Sequence, residues 1–555
     1  DFPKTFGITE MKKGYFPHFF NIPENYDYVG EIPDKHFFGA NAMTSTGKAT
    51  FSKWWKARKD EKYIWDERKE MKEYCISDTA ILKEGCKIFR KTYLDISGID
   101  PFKYTTIASV CMAIFRANHI IDDFQDRYYE AKEIAQELEK EDRKLYMEDF
   151  NEEIYQQVFK EKKIAIFDYE EQKFMRKSFF GGRTNAIKLL HTFKGTEVGK
   201  YADITSLYPS VNYYDEYPVG HPEKLTEGFD LTLDSYKLAI VDCYVIPPND
   251  LYFPVLPTKG EKLMFDLLAK RGVWTSVELK LALEKGYKIK EIYEVWNWEL
   301  TTTDLFRPYV AKFLKIKQES SGFPDWVKCE LDKEKYIKNY LEGQGIQLDR
   351  KKIKKNKGMR AVAKLCLNSL WGKFGQRLNM AKTEMTDKPA RFSEIMFNEK
   401  YCNQSFNVID ENRIEVNYKM KDDYVENSAT TNIAIATFTT SHARKRLYWG
   451  LNKLDRQVLY HDTDSLVYKY DCMNPAHKSI ELGDYLGDWT DELEGVNMVG
   501  TFCGAGPKNY SYETDDGEFH TKIKGFTLNW DAVQKLNHDS MIDLIKRREE
   551  DIDKE

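Results

Sequence analysis

The stretch VLYHDTDSLVYK, residues 458–469, holds two aspartates, Asp462 and Asp464, one residue apart between the apolar runs 458–460 and 466–468. Strand-forming residues on either side of a polar tip predict a β-hairpin with the acids at its turn. Asp, Thr and Ser are ordinary turn formers whose side chains bond their own backbone, so turn chemistry alone would explain the motif. The other reading is a divalent-metal site, because close carboxylates repel and raise one another's pKa unless a cation lies between them. Partners elsewhere in the chain decide between the two.

A chain of 555 residues exceeds one ordinary core, and several domains are expected. Its 42% hydrophobic and 14% aromatic content, with no low-complexity tract, excludes a disordered polymer. The longest apolar runs, such as TIASVCMAIF at 106–115, are far too short to span a membrane, and no membrane partner is expected. Nine cysteines without CxxC pairs fit reduced thiols in an intracellular compartment, be it nucleus, cytoplasm or mitochondrion; they speak against a disulfide framework and against zinc. The net charge is −6, yet seven of the eleven residues in RKKIKKNKGMR, 350–360, are Lys or Arg, while 130–153 and 546–555 are acid-rich. Such a basic run is either a solvated face or a place where a polyanion is met.

Helical and strand-like stretches are segregated along the chain, which predicts an α+β fold in which distant acids converge at strand ends. KYADITSLYPS, 200–210, supplies a third acid: Asp203 reads as the last residue of a strand before a turn that Pro209 helps to end. Three carboxylates facing one cavity are tolerable only around hard divalent cations, and two Mg²⁺ ions about 3.5–4 Å apart are the standard device for in-line phosphoryl displacement. The predicted helix GMRAVAKLCLNSLWGKFGQR, 358–377, adds the opposite charge. Arg360, Lys364, Asn368 and Trp371 share one stripe, beside an apolar stripe of Ala363, Leu367 and Leu370. The cationic stripe suits a triphosphate whose base stacks on a ring; the plainer reading is an amphipathic helix with a snorkelling lysine.

Taken together and in this order, DITSLYPS, KLCLNSLWGKFG and YHDTDS resemble the A, B and C motifs of family B DNA polymerases. KNYSY at 508–512, followed by KIKGF, resembles that family's KxY motif. FFGGR at 179–183 is similar to the YxGG element of the protein-primed branch, with Phe179 where Tyr is usual. The gaps of 161 residues from Asp203 to Lys364 and 98 from Lys364 to Asp462 resemble that subgroup's two insertions, and KKGYFPHFF, YVGEIPD, IDPF and KFLKIKQESSGFPDW look like polymerases of Polinton or Maverick transposons, related viruses and linear plasmids.

The resemblance implies a right-hand polymerase fold of palm, fingers and short thumb, preceded by a partial ribonuclease H-like exonuclease domain. The implied spans are 1–127 for the exonuclease-like part, 128–178 for a charged helical connector, 179–234 and 429–530 for the palm and 346–377 for the fingers. An insertion of terminal-protein-region type would occupy 235–345, a second insertion 378–428 and a short or incomplete thumb 531–555. The implied activity is DNA-directed DNA synthesis with Mg²⁺, or Mn²⁺ as a substitute, by a monomer acting on template-primer DNA and dNTPs, with a terminal protein as a further primer. Asp203 and Asp464, helped by the Ile204 carbonyl, would bind the metals, with Asp462 beside them in a less direct role. Tyr208 would exclude ribonucleotides by shape, Arg360 and Lys364 would hold the triphosphate, and Asn368 and Trp371 would border the nascent base pair. Trp371 stands where the family usually has Tyr, a swap that keeps the stacking area and removes a hydroxyl. Phe179, Gly181, Gly182, Lys508, Tyr510 and Lys524 would contact DNA.

MKEYCISDTAIL, 71–82, resembles the third exonuclease motif, with Tyr74 and Asp78 one helical turn apart. The acids of the first two exonuclease motifs are missing from residues 1–70, where NYDY at 25–28 is a poor substitute; an N-terminally truncated chain without proofreading is therefore expected. Two other readings stay open. One is an RNA-synthesising or reverse-transcribing palm enzyme, which uses the same two-metal chemistry, and the other is a transposon remnant that binds DNA without catalysis.

Overall fold

The computed structural model describes residues 6–8, 14–120, 164–426, 428 and 430–552. Its centre is an antiparallel sheet of nine strands. In chain order they are β1 (Thr184–Ala186), β2 (Leu190–Thr192), β3 (Glu197–Ile204), β4 (Val458–Asp462), β5 (Ser465–Asp471), β6 (Trp489–Asp491), β7 (Met498–Gly506), β8 (Asn509–Thr514) and β9 (Phe519–Ile523). Their spatial order is β9-β8-β7-β3-β5-β4-β1, with β6 joined to β3 and β2 to β7. The hairpin strands read as unbroken apolar runs because both of their faces are covered. On one face Leu466 and Tyr468 pack with Leu447 and Leu451; on the other Leu459, Tyr460 and Val467 pack with Met498, Phe502 and Tyr510.

Four helices frame this sheet: α1 (Leu207–Tyr214), α2 (Arg307–Ser321), α3 (Lys357–Phe374) and α4 (Ile433–Leu454). Pro209, expected to help end a turn, is instead the third residue of α1, where the N–H it lacks would have had no intrahelical partner. Helices α2 and α3 run antiparallel: the Tyr309 hydroxyl donates to the Cys366 carbonyl at 3.1 Å, and Arg360 Nε donates to Ser321 Oγ at 3.0 Å. The 346–377 span holds one helix of this pair, and its partner falls within 235–345.

Residues 223–298 carry a four-stranded sheet, in the order Lys270–Thr275, Leu238–Ile246, Lys288–Trp298, Glu223–Leu225, and the helix Ser276–Glu284. Its core runs into the central one, since Phe253, Val255, Trp274 and Leu281 belong to the same buried cluster as Leu447 and Leu466. A second excursion holds the strands Lys382–Thr386, Ile414–Met420 and Tyr401–Val408 and the helix Pro389–Met396, around a small core of Ile395, Val416 and Tyr418.

Among the described residues before 121, three α-helices, Ser45–Asp60, Glu67–Ser97 and Ile107–Phe115, accompany a two-stranded ribbon of Val29–Glu31 and Ile64–Asp66. No broader sheet of ribonuclease H type occurs among the described residues there. Most of the connector expected at 128–178 lies outside the described residues; its last part contains the helix Tyr169–Met175, opened by a capping box of Asp168 and Glu171. At the other end, Met541 and Ile545 of the helix His538–Ile552 pack on Cys503, and Trp530 N–H donates to the Met43 carbonyl at 2.8 Å. All nine cysteines are free, and no helix among the described residues is long and apolar enough to cross a membrane.

Candidate active site

Sheet register brings two of the acids together. Ser465 of β5 lies opposite Asp203, the penultimate residue of β3, and Ile204 N–H donates to the Asp464 carbonyl at 2.7 Å. The hairpin loop is two residues, because Asp462 pairs with Ser465 across it. Such tight turns need left-handed backbone, and Thr463 supplies it at φ 58°. A strap from FFGGR holds the turn in place: Thr463 N–H donates to the Arg183 carbonyl at 2.8 Å, and Thr184 of β1 lies opposite Asp462. Gly182 passes so close that a Cβ there would stand 2.7 Å from Thr463 Oγ1. Arg444 on α4 grips the strap from behind, donating from Nη1 to the carbonyls of Phe180 and Gly181 at 2.6 and 3.0 Å while it pairs with buried Glu278.

The three carboxylates are not equivalent. Asp462 is bound by Lys508 Nζ at 2.9 Å to each oxygen and by Thr184 Oγ1 at 2.8 Å. Burial raises its pKa, but these bonds outweigh the effect and hold it below the ordinary carboxylate value. Asp203 and Asp464 have no cationic ion-pair partner among the described residues. Burial, then the charge of Asp464, pushes Asp203 up to about 7; burial, then Asp462, pushes Asp464 up to about 6. The charges of Lys364 and Lys522 act on Asp203 in the opposite sense.

Two half-buried, mutually repelling carboxylates with hard oxygen donors fit a Mg²⁺ site, because Mg²⁺ is commonly held by one or two carboxylates and completes its shell with water and phosphate oxygens. Among the described residues no three Asp, Glu, His or Cys side chains converge on one point. Asp203, Asp464 and the backbone carbonyl of Ile204 are therefore the donor set to consider.

Opposite the acids, α3 is amphipathic as expected: Arg360, Lys364 and Asn368 are exposed and Trp371 is half-buried, while Ala363, Leu367 and Leu370 are in the core. Trp371 stacks on Tyr208, with centroids 4.1 Å apart and an 18° interplanar angle. Sequence reasoning missed Lys317 on α2, whose Nζ donates to Ser206 Oγ at 3.4 Å. Burial, then the charges of Arg360 and Lys364, pushes it down to about 8. Its signal was present, since Val310, Phe313, Leu314 and Lys317 follow i, i+3, i+4, i+7 and set a lysine on the apolar stripe.

On the far side, Lys508 is left-handed at φ 62° and its N–H donates to the Tyr460 hydroxyl at 2.9 Å. Tyr510 is 3% exposed, and its hydroxyl meets that of Tyr201 at 3.2 Å. Lys524 is exposed, with its N–H on Asn509 Oδ1. The neighbouring Lys522, not singled out from sequence, lies opposite Tyr510 in register, with Nζ 5.6 Å from that ring. Phe179 abuts the end of α3, where a Cβ on Gly375 would come within 2.8 Å of its ring. Tyr74 and Asp78 are one turn apart on Glu67–Ser97, and Tyr74 stacks on Phe16 with centroids 5.2 Å apart.

A carboxylate near the end of β3 and another in the β4–β5 turn are faced by a cationic helix pair, an arrangement of charge that suits a polyphosphate with divalent cations. The chain belongs to the family DNA polymerase type B, organellar and viral, whose model matches residues 1–454. It is 23% identical over 517 residues to a probable DNA polymerase of Neurospora intermedia, and 22% identical over 571 residues to one of Agaricus bitorquis. These matches cover 90% and 97% of this chain but only 43% and 59% of the relatives, so the chain spans roughly half their length. A DNA polymerase of Bacillus phage Nf is 28% identical over 325 residues, 58% of this chain and 47% of that protein. In fold the chain resembles Phi29 DNA polymerase in its orthorhombic crystal form, with TM-score 0.54 at 17% identity over 85% of this chain and 68% of that one. A Phi29 DNA polymerase complex with primer-template DNA and incoming nucleotides gives TM-score 0.52, also at 17% identity, over 85% and 67%.

Proposed function

We propose that the protein is a DNA-directed DNA polymerase that adds dNTPs to a primer 3′-hydroxyl, in protein-primed replication of a transposon, plasmid or virus. The observation that carries this reading is the juxtaposition of Asp203 on β3 with Asp464 in the β4–β5 turn, opposite the Lys364 stripe. Mg²⁺, or Mn²⁺ in its place, held by Asp203, Asp464 and the Ile204 carbonyl would activate the 3′-oxygen and neutralise charge on the phosphates. Lys364, Arg360 and Lys317 hold the triphosphate through charge-assisted hydrogen bonds and stabilise the charge that develops on the leaving pyrophosphate. Tyr208 is backed by Trp371 and cannot swing aside without losing that stack, so a 2′-hydroxyl meets a fixed ring. Asn368 borders the nascent base pair. Lys508 holds Asp462 neutralised beside the turn, and Lys522, Lys524 and the strap of Phe179, Gly181 and Gly182 face the primer-template. Tyr510 supports Lys522 from within the core. Tyr74 and Asp78 are the proposed remnant of an exonuclease site.

Primer extension with Mg²⁺ on a DNA primer tests the reading. Asp464→Asn is expected to retain DNA binding and to lose extension by about a thousandfold or more, the ~4 kcal/mol that two-metal stabilisation supplies. Near-normal extension by that variant would remove the assignment. A terminal protein offered in place of the DNA primer tests the mode of priming, and NTPs offered in place of dNTPs test the sugar preference.

A further inference from the structure

Arg183, the last residue of FFGGR, is 5% exposed and has no carboxylate partner among the described residues. A guanidinium buried without an anion is costly, and most buried arginines avoid it by pairing, as Arg444 does with Glu278 at 2.7 and 2.8 Å. Arg183 is instead held by the first insertion. Its Nη1 donates to the Pro254 carbonyl at 2.6 Å, and its guanidinium lies 4.2 Å from the ring centroid of Phe265 and 5.6 Å from that of Phe253. It lines a cavity of about 10 Å³ with Glu278, Arg444 and Tyr448, room for one water.

The backbone of the same residue is on the catalytic turn. Its carbonyl accepts from Thr463 N–H at 2.8 Å and from His461 Nδ1 at 3.3 Å. Because a carbonyl only accepts, Nδ1 of His461 carries the proton, and burial, then the Arg183 charge, keeps that imidazole neutral with its pKa at about 3. One side of the residue is therefore anchored in the 253–265 region and the other fixes the loop that carries Asp464.

We propose that Arg183 is a positioning residue for nucleotide addition: seated between Phe265, Phe253 and the Pro254 carbonyl, it sets its own carbonyl on the Thr463 amide and so holds Asp464 opposite Asp203. The proposal rests on the polymerase reading above and makes the first insertion a structural part of the active site.

The test compares Arg183→Met, which keeps length and removes the buried charge, with Arg183→Lys, which keeps charge but loses the planar contact. Thermal unfolding, amide exchange of residues 459–466 in metal-free protein, and single-turnover kinetics on primer-template are read together. Arg183→Met is expected to unfold at or above the wild-type temperature, to exchange the Thr463 amide faster, and to lose kcat by about tenfold to a hundredfold, as a small misplacement of reacting groups does. Its KM for dNTP and its Kd for DNA are expected within about twofold of wild type, with Arg183→Lys between the two. Unchanged exchange and kcat in folded Arg183→Met would overturn the proposal, as would a loss confined to KM or DNA affinity. If Arg183→Met does not fold, Phe265→Leu loosens the same seat from the insertion side; it is expected to give the same kcat-only loss, smaller in size, and an unchanged kcat would overturn the proposal. A wild-type protein that extends no primer would defeat the polymerase reading, whereas the exchange at Thr463 tests the anchor without reference to activity.

Discussion

At the scale of single residues, Asp203 and Asp464 are held in a state the fold alone disfavours. A carboxyl whose pKa is raised on folding keeps its proton longer in the native state than in the unfolded one. Stability from these two groups is therefore lost as pH rises from about 4 through about 6 and 7, and the whole loss is present above that window. Metal-free Asp203→Asn or Asp464→Asn is expected to be more stable than wild type at pH 8 by on the order of 1–2 kcal/mol, with the gain vanishing near pH 4. Mg²⁺ should raise the wild-type unfolding temperature and leave that of Asp203→Asn nearly unchanged; thermal scans with and without metal check both. Gly182 gives a steric prediction. Gly182→Ala is expected to cost about 1–3 kcal/mol and most of the activity, and Thr463→Gly in the same chain to restore part of each by removing the clashing Oγ1 and the left-handed strain. The aspartates were readable as a motif. Their inequality in charge was not, because it comes from Lys508, far along the chain, and from Thr184 on a third strand.

At the scale of elements, α3 was legible because its two stripes obey the helical period, and burial follows them residue by residue. The hairpin was legible as well, although its turn is shorter than the four-residue tip DTDS suggests. What the pattern could not give was the partner of each element. Helix α2 read as part of an insertion, yet it packs along α3 and adds Lys317 to the cationic wall. The ring pair between α1 and α3 is likewise a product of packing. Tyr208→Val should raise NTP incorporation relative to dNTP by at least about tenfold, and Trp371→Ala should do the same more weakly by freeing Tyr208. Competition between rNTP and dNTP on one primer-template reads both, and unchanged discrimination by Tyr208→Val would remove its assigned role.

At the scale of the whole molecule, the two regions that read as insertions differ in how they join the centre. The second has its own small core, and its ends are close, with Asn379 Nδ2 donating to the Met420 carbonyl at 2.8 Å. Replacing residues 382–420 by a short Gly-Ser link is expected to leave the unfolding temperature and single-nucleotide addition within a few-fold of wild type, while weakening retention of DNA over long extension. The first insertion shares a core with β5 and α4 and seats Arg183, so excising 223–298 is expected to leave no folded protein. Soluble yield, unfolding and product length separate the two cases.

The elements and the chemistry they carry are written in the chain: unbroken apolar runs on either side of DTDS, a helix of period 3.6 with cations on one stripe, and the order of the motifs. These follow from local backbone preference and side-chain type, which a chain states residue by residue. It took the packed molecule to pair Ser465 with Asp203, to neutralise Asp462 with Lys508 while leaving Asp464 without a cation, and to tie the 253–265 region through Arg183 to the turn that carries Asp464. Register, desolvation and charge pairing are set by which distant segments exclude water together, and no local pattern encodes that.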